Sequence, residues 1–210
     1  MAYKRSQIED AICQTNVSIG KARAKTLVRI KRLLEMDRAL KTNRRSKDQR
    51  ISGYAFFSDA APGKGAEILF QDYECFALDI ALRLVDHGIA HGDVVEILRD
   101  LRPNLQIQHK RILALPAQNL IGYDVPTESG APVLISNQPV FIAVGYRTQL
   151  TTGVRTSNGL TAEILQGAPA FWNHFWDTKG KASTTVEITL TACALQSNLI
   201  RTQPRLRGRN

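Results

Sequence analysis

The chain is poor in the residues that would commit it to several large classes of protein. Three cysteines in 210 residues, Cys13, Cys75 and Cys193, are odd in number and far apart, with no C-x-x-C pair. Neither a disulfide framework nor a zinc knuckle is indicated, and reduced, partly buried thiols are expected. No apolar run approaches the roughly 18 to 20 residues of a membrane span, and the first thirty residues lack the apolar core of a secretory signal. A cytoplasmic protein is therefore expected. Nucleophile motifs are missing too: there is no G-x-S-x-G, no cysteine near a plausible histidine, and no defined carboxylate pair. The four histidines do not organise into acid–base machinery, so no enzyme and no cofactor are expected.

What the chain does have is positive charge, unevenly spread. Residues 1–50 hold 14 Lys/Arg against 5 Asp/Glu, residues 51–200 hold 10 against 14, and residues 201–210 hold four arginines and no acid. The net charge of +9 thus comes from the two ends, while residues 51–100 alone are acidic, with 3 basic against 9 acidic side chains. A polyanion would be drawn to the N-terminal segment and repelled by the next.

Along the chain, Ser6 followed by Glu9 reads as a capped short helix with Ile8, Ala11 and Ile12 on one face. A second helical pattern covers about Lys21 to Leu40, with Leu27, Ile30, Leu33 or Leu34 inward and basic residues outward. A polar, basic loop, Thr42–Arg50, follows. Tyr54, Phe56 and Phe57, then Pro62-Gly63-Lys64-Gly65, then Ile68, Leu69 and Phe70 predict a hairpin. Tyr73, Ala77, Ile80, Ala81 and Leu84 predict a helix ending at Gly88. A short helix is expected over 93–101, stopped by Pro103, and another over 104–115. Residues 116–139 hold four of the eight prolines and mark a boundary. Beyond it the pattern predicts a strand over 140–146, a loop at Ser157-Asn158-Gly159, a helix over 161–177, a strand over 184–190 and a helix over 192–202.

The expected class is therefore α+β: an N-terminal domain over 1–103, a helix and Pro-rich linker over 104–138, and a smaller β-α-β-α module with a basic tail over 139–210.

Gly63-Lys64-Gly65 lacks the Ser/Thr and the helix start that a phosphate loop requires, so it reads as a turn. His87 and His91 have the spacing of a metal pair on one helix face, but Gly88 and Gly92 break that helix and no metal is expected. The cluster Ala170-Phe171-Trp172-Asn173-His174-Phe175-Trp176 most simply reads as core; Trp172, Phe175 and Trp176 are also the candidate ligand or partner surface. The basic segment 21–50 is either a solvated helix face or a grip on a phosphate backbone sustained by counterion release.

The order helix, turn, helix, hairpin, helix, short helix resembles the winged helix-turn-helix domain of MerR-type transcriptional regulators over roughly residues 5–101. Gly65-Ala66-Glu67-Ile68-Leu69-Phe70, Asp72, Ile80, Leu84, Gly88-Ile89, Val94 and Ile97 follow that family's course. Arg29-Ile30-Lys31 stands where the family carries a tyrosine pair, and Ala66-Glu67 where its wing carries arginine. The resemblance implies a bacterial-type, DNA-binding transcriptional regulator acting as a homodimer on double-stranded DNA, with a small-molecule effector as a candidate partner. It implies that Lys21, Arg23, Lys25, Arg29 and Arg32 approach the major groove or its phosphates, that Arg44 and Arg45 add backbone contacts, and that Lys64 meets the backbone beside a wing. A non-catalytic protein binding RNA or acidic partners, and a small enzyme or ligand-binding module in the C-terminal half, are the alternatives.

Overall fold

In a computed structural model the described residues are 1–16, 21–40, 53–58, 68–116, 138–145, 153–177 and 183–203. Among them the chain is mixed α+β, with six helices and two small antiparallel sheets. It divides into two compact units. One comprises Met1–Asp100 together with Ala194–Asn210, the other Leu101–Cys193.

In the first unit, β1 (Ala2–Lys4) leads into α1 (Arg5–Thr15), whose start is fixed by Gln7 rather than Ser6: the Lys4 N–H donates to Gln7 Oε1 at 3.0 Å. Ile8, Ala11 and Ile12 are buried, as their spacing predicts. The second helix, α2 (Lys21–Ala39), buries Ile30, Leu33 and Leu34. The predicted hairpin is replaced by another pairing. Residues 53–58 form no strand, and β2 (Leu69–Gln71) pairs with β1, Tyr3 opposite Phe70. The turn 59–67 lies outside the described residues. Tyr54, Phe56 and Phe57 act as packing instead: Phe56 and Phe57 are buried, and Phe57 meets Tyr54 edge to face at 5.7 Å and lies tilted against Phe70 at 6.0 Å.

Next comes α3 (Asp72–Asp86), almost wholly buried from Tyr73 to Val85. It ends where the sequence says it should. Gly88 has φ +88°, its N–H donates to Val85 O at 3.0 Å, and the Ile89 N–H reaches Leu84 O at 3.1 Å, a Schellman closure that needs a residue tolerant of the left-handed region. The following α4 (His91–Leu113) is one helix, not two, and runs through Pro103. The apolar stripe explains why: Val94, Ile97, Leu98, Leu101, Leu105 and Ile112 continue at helical spacing on both sides of the proline and are all buried. Together they outweigh the roughly 3 kcal/mol that an interior proline costs.

The second unit is a four-stranded antiparallel sheet in the order β4-β5-β3-β6, formed by β3 (Val140–Gly145), β4 (Val154–Arg155), β5 (Thr161–Gln166) and β6 (Ser183–Glu187). Ile142 of the central β3 lies opposite Ile164 on one side and Val186 on the other. The helix predicted over 161–177 therefore splits. Its first six residues are strand β5, paired with both β3 and β4, and only Gly167–Asp177 is helix, α5. Gly167, at φ +79°, makes the switch, its N–H donating to Pro139 O at 2.7 Å. The expected β-α-β-α order becomes three strands, a helix, a strand and a helix, α6 (Thr189–Arg201). Within the first unit, α6 is tied to α1: Asn198 Nδ2 donates to Thr15 Oγ1 at 3.0 Å, and Gln7 Nε2 donates to Thr202 O at 3.0 Å.

Candidate functional site

Two surfaces carry the residues singled out in the sequence: the outward face of α2 in the first unit, and α5 in the second.

The α2 face exists because the opposite face is fastened in three places. Asp37, fully buried, accepts from the Ala55 N–H at 3.1 Å, the Phe56 N–H at 3.0 Å and Arg99 Nε at 2.8 Å. Arg99 also donates to the main-chain oxygens of Asp37 and Leu40, and its guanidinium lies 5.5 Å from the Tyr54 ring. A buried carboxylate and guanidinium satisfied by this many partners fix the end of α2 against α4 and the 53–58 segment. Near the start of the helix, Arg23 is ion-paired with Asp10 of α1, and further along Arg29 is ion-paired with Asp86 at the end of α3.

Those ties divide the predicted contact residues. Lys25 and Arg32, seven residues apart and so on one face, are exposed, and among the described residues neither has an acidic partner. Arg23 and Arg29 serve internal ion pairs. Although each guanidinium has five N–H donors, so that a pair leaves some available, their charge is partly compensated. Helix α2 begins at Lys21. Arg44, Arg45 and Lys64 lie outside the described residues. Exposed on the same helix are Lys31, 3.8 Å from Glu35, and Arg38, whose guanidinium stands 5.3 Å over Phe57.

One contributor was invisible in the sequence. His91, at the start of α4, sits where burial, then the charges of Arg32 and Arg29, push its imidazole below the ordinary histidine value. Its proximity to a helix some 60 positions earlier has no local signal. The pairing with His87 suggested by spacing is not what surrounds it, and among the described residues no group of three or more His, Cys, Asp or Glu could hold a metal ion.

On α5 the expectation of an aromatic core is overturned. Trp172 is 54% exposed, Phe175 55% and Trp176 72%. The inward side of the helix is carried by Phe171, 4.8 Å from Phe141 of β3, and by His174, whose Nδ1 lies 2.8 Å from Glu163 Oε1 of β5. Phe171, Trp172, Phe175 and Trp176 form a chain of edge-to-face contacts at 5.4, 6.2 and 5.6 Å. Glu163 and His174 pair as an acid–base unit would, and His174 Nε2 is buried with no hydrogen-bond partner among the described residues. Beside the first turn of α5 lies a cleft of about 340 Å³ walled by Arg111, Gly167, Ala168 and Pro169. The Arg111 guanidinium is held there by two amide oxygens, Gln166 Oε1 and Gln138 Oε1, both at 2.9 Å.

No protein-family model matches the chain, and no curated protein or solved structure matches it. No described helix is long and apolar enough to cross a membrane.

Proposed function

We propose that the chain is a DNA-binding protein, a transcriptional regulator of the MerR-like winged-helix type that acts as a cytoplasmic homodimer and performs no catalysis. The observation that carries this reading is the outward face of α2, where Lys25 and Arg32 stand exposed, without acidic partners among the described residues, on a helix clamped from behind by Asp37 and Arg99. Such a helix presents cations at fixed spacing to successive phosphates and loses little conformational freedom on binding. Arg44, Arg45 and Lys64 add backbone contacts on this reading, and the effector, if one acts, is a small molecule taken up by the second unit.

Titration of a labelled duplex over a salt series tests it. The expected result is a steep linear fall of log affinity with log salt, and a slope smaller by about 1 in Lys25→Ala and in Arg32→Ala. Absence of duplex binding at low salt sinks the proposal. A slope unchanged by either substitution removes α2 as the contact surface.

A further inference from the structure

We propose that the second unit binds a small uncharged molecule carrying a cyclic amide edge, an N–H beside a C=O as in the rings of uracil and hypoxanthine. Its seat is a cleft between the last three turns of α4 and β5, where Gln108 and Gln166 meet the two halves of that edge. This deepens the proposed regulator by giving its effector a site and a chemistry, and rests on that reading for the effector's role alone; binding itself is measured without nucleic acid.

The cleft holds about 310 Å³ and is distinct from the one beside the first turn of α5. That is the lower end of the roughly 300–1,000 Å³ of ligand sites, which suits an occupant of one or two rings. Leu101, Ile107 and Ile164 supply apolar wall, and Ile107 leaves most of its side chain in contact with water. An apolar wall interrupted by a few polar groups is the lining that orients a small molecule.

The polar groups define what the occupant must carry. Gln108 is only 7% exposed, yet its Oε1 is buried with no hydrogen-bond partner among the described residues. A buried acceptor left unpaired is costly and rare, and what satisfies it is an N–H. The terminal torsion of a glutamine is broad, so this oxygen turns to the cleft that Gln108 lines without movement of the helix. Gln166 supplies the complement. Its Oε1 accepts from Arg111 Nη1 at 2.9 Å, which fixes the orientation of the amide and leaves the NH₂ to donate to a carbonyl. Glu163 lines the same cleft but is engaged by His174, Oε1 to Nδ1 at 2.8 Å, and its carboxylate opposes an anionic occupant. An acceptor from α4 and a donor from β5 are what a cyclic amide pairs with.

Calorimetric titration of the full chain with uracil and with hypoxanthine is expected to show saturable binding, with thermal unfolding moving upward at ligand excess. Uracil methylated on both ring nitrogens keeps the ring and both carbonyls but has no N–H. It is expected to bind about 10-fold more weakly, the effect of losing one hydrogen bond to a buried amide. Gln108→Leu is expected to abolish binding and to raise the urea midpoint of the unliganded chain, because an apolar group of similar size replaces an unpaired buried oxygen. Asn104→Trp, at an exposed helix position on the cleft wall, fills the opening without entering the core. It is expected to abolish binding with the urea midpoint unchanged. No saturable binding of either base to the wild-type chain overturns the proposal. So does methylated uracil that binds as well as uracil, or binding that survives both substitutions. Should Gln108→Leu fail to fold, Asn104→Trp and the methylated base still decide. Duplex binding plays no part in these outcomes, so a failed DNA titration leaves them standing.

Discussion

Asp79, in the middle of α3, has no exposed surface at all. It accepts from Asn16 Nδ2 at 2.9 Å and lies 3.6 Å from Arg83 Nε. Burial nevertheless wins: it raises the carboxyl above its ordinary value of 3.8, against the opposing pull of Arg83 and the hydrogen bond from Asn16. A raised folded value means that the native state holds the proton more tightly than the unfolded chain. The contribution of Asp79 to stability is therefore fully present below pH 3.8 and is lost as pH rises through the raised value. Asp79→Asn should accordingly gain on wild type as pH climbs, and the difference should level off once the wild-type group has ionised. Urea midpoints of both proteins between about pH 4 and about pH 7 measure this, and a difference that does not vary with pH would remove the assignment. Residue identity alone could not have shown it. Asp79 looks like any acid on a helix until α3 is known to be buried on every side, and the same holds for Arg23 and Arg29, whose ion-pair partners belong to other helices.

At the scale of the element, the legible features were those with a local cause. Gly88 ends α3 because only a residue tolerant of positive φ closes that turn cheaply, and the sequence announces it with a glycine after the last apolar position. Pro103 misled for the same reason inverted: a local rule says stop, while the buried stripe from Val94 to Ile112 says continue. Thr161–Gln166 misled because a short apolar run has no period of its own. It is a strand because β3 and β4 lie on either side of it. The start of β4 offers a test. Gly153 has φ +128°, and a Cβ there would stand 2.5 Å from the Ala162 carbonyl oxygen. Gly153→Ala combines a disfavoured backbone with a clash against main chain that cannot step aside. It is expected to lower stability by roughly 1–3 kcal/mol in a denaturant titration, and an unchanged midpoint would contradict the observed path of the chain.

For the molecule as a whole, charge and class were readable and pairing was not. The basic first fifty residues and the mixed α+β character follow from composition and periodicity. That β2 seeks β1 rather than residues 54–57 depends on contacts some 65 positions apart, which no local pattern encodes. The Asp37–Arg99 pair is of the same kind. It joins α2, the 53–58 segment and α4, so its loss should be felt across the first unit. Asp37→Asn leaves a buried guanidinium without its counter-charge and is expected to cost about 3–5 kcal/mol, read as a lower urea midpoint. If the midpoint instead holds, the pair is not what clamps α2, and the rigid basic face proposed to meet DNA loses its support.

The tie between α6 and α1 has a consequence for the order in which the chain can fold. Synthesis proceeds from residue 1, yet Thr15 waits for Asn198 and Gln7 for Thr202. Residues 101–193 emerge from the ribosome before the first unit has its last helix, so they form an insertion that must be made, and can already be folding, while Leu195 and Leu199, both buried in the finished fold, are still to be added. A nascent chain halted before α6 would carry the basic helix α2 on an unfinished body.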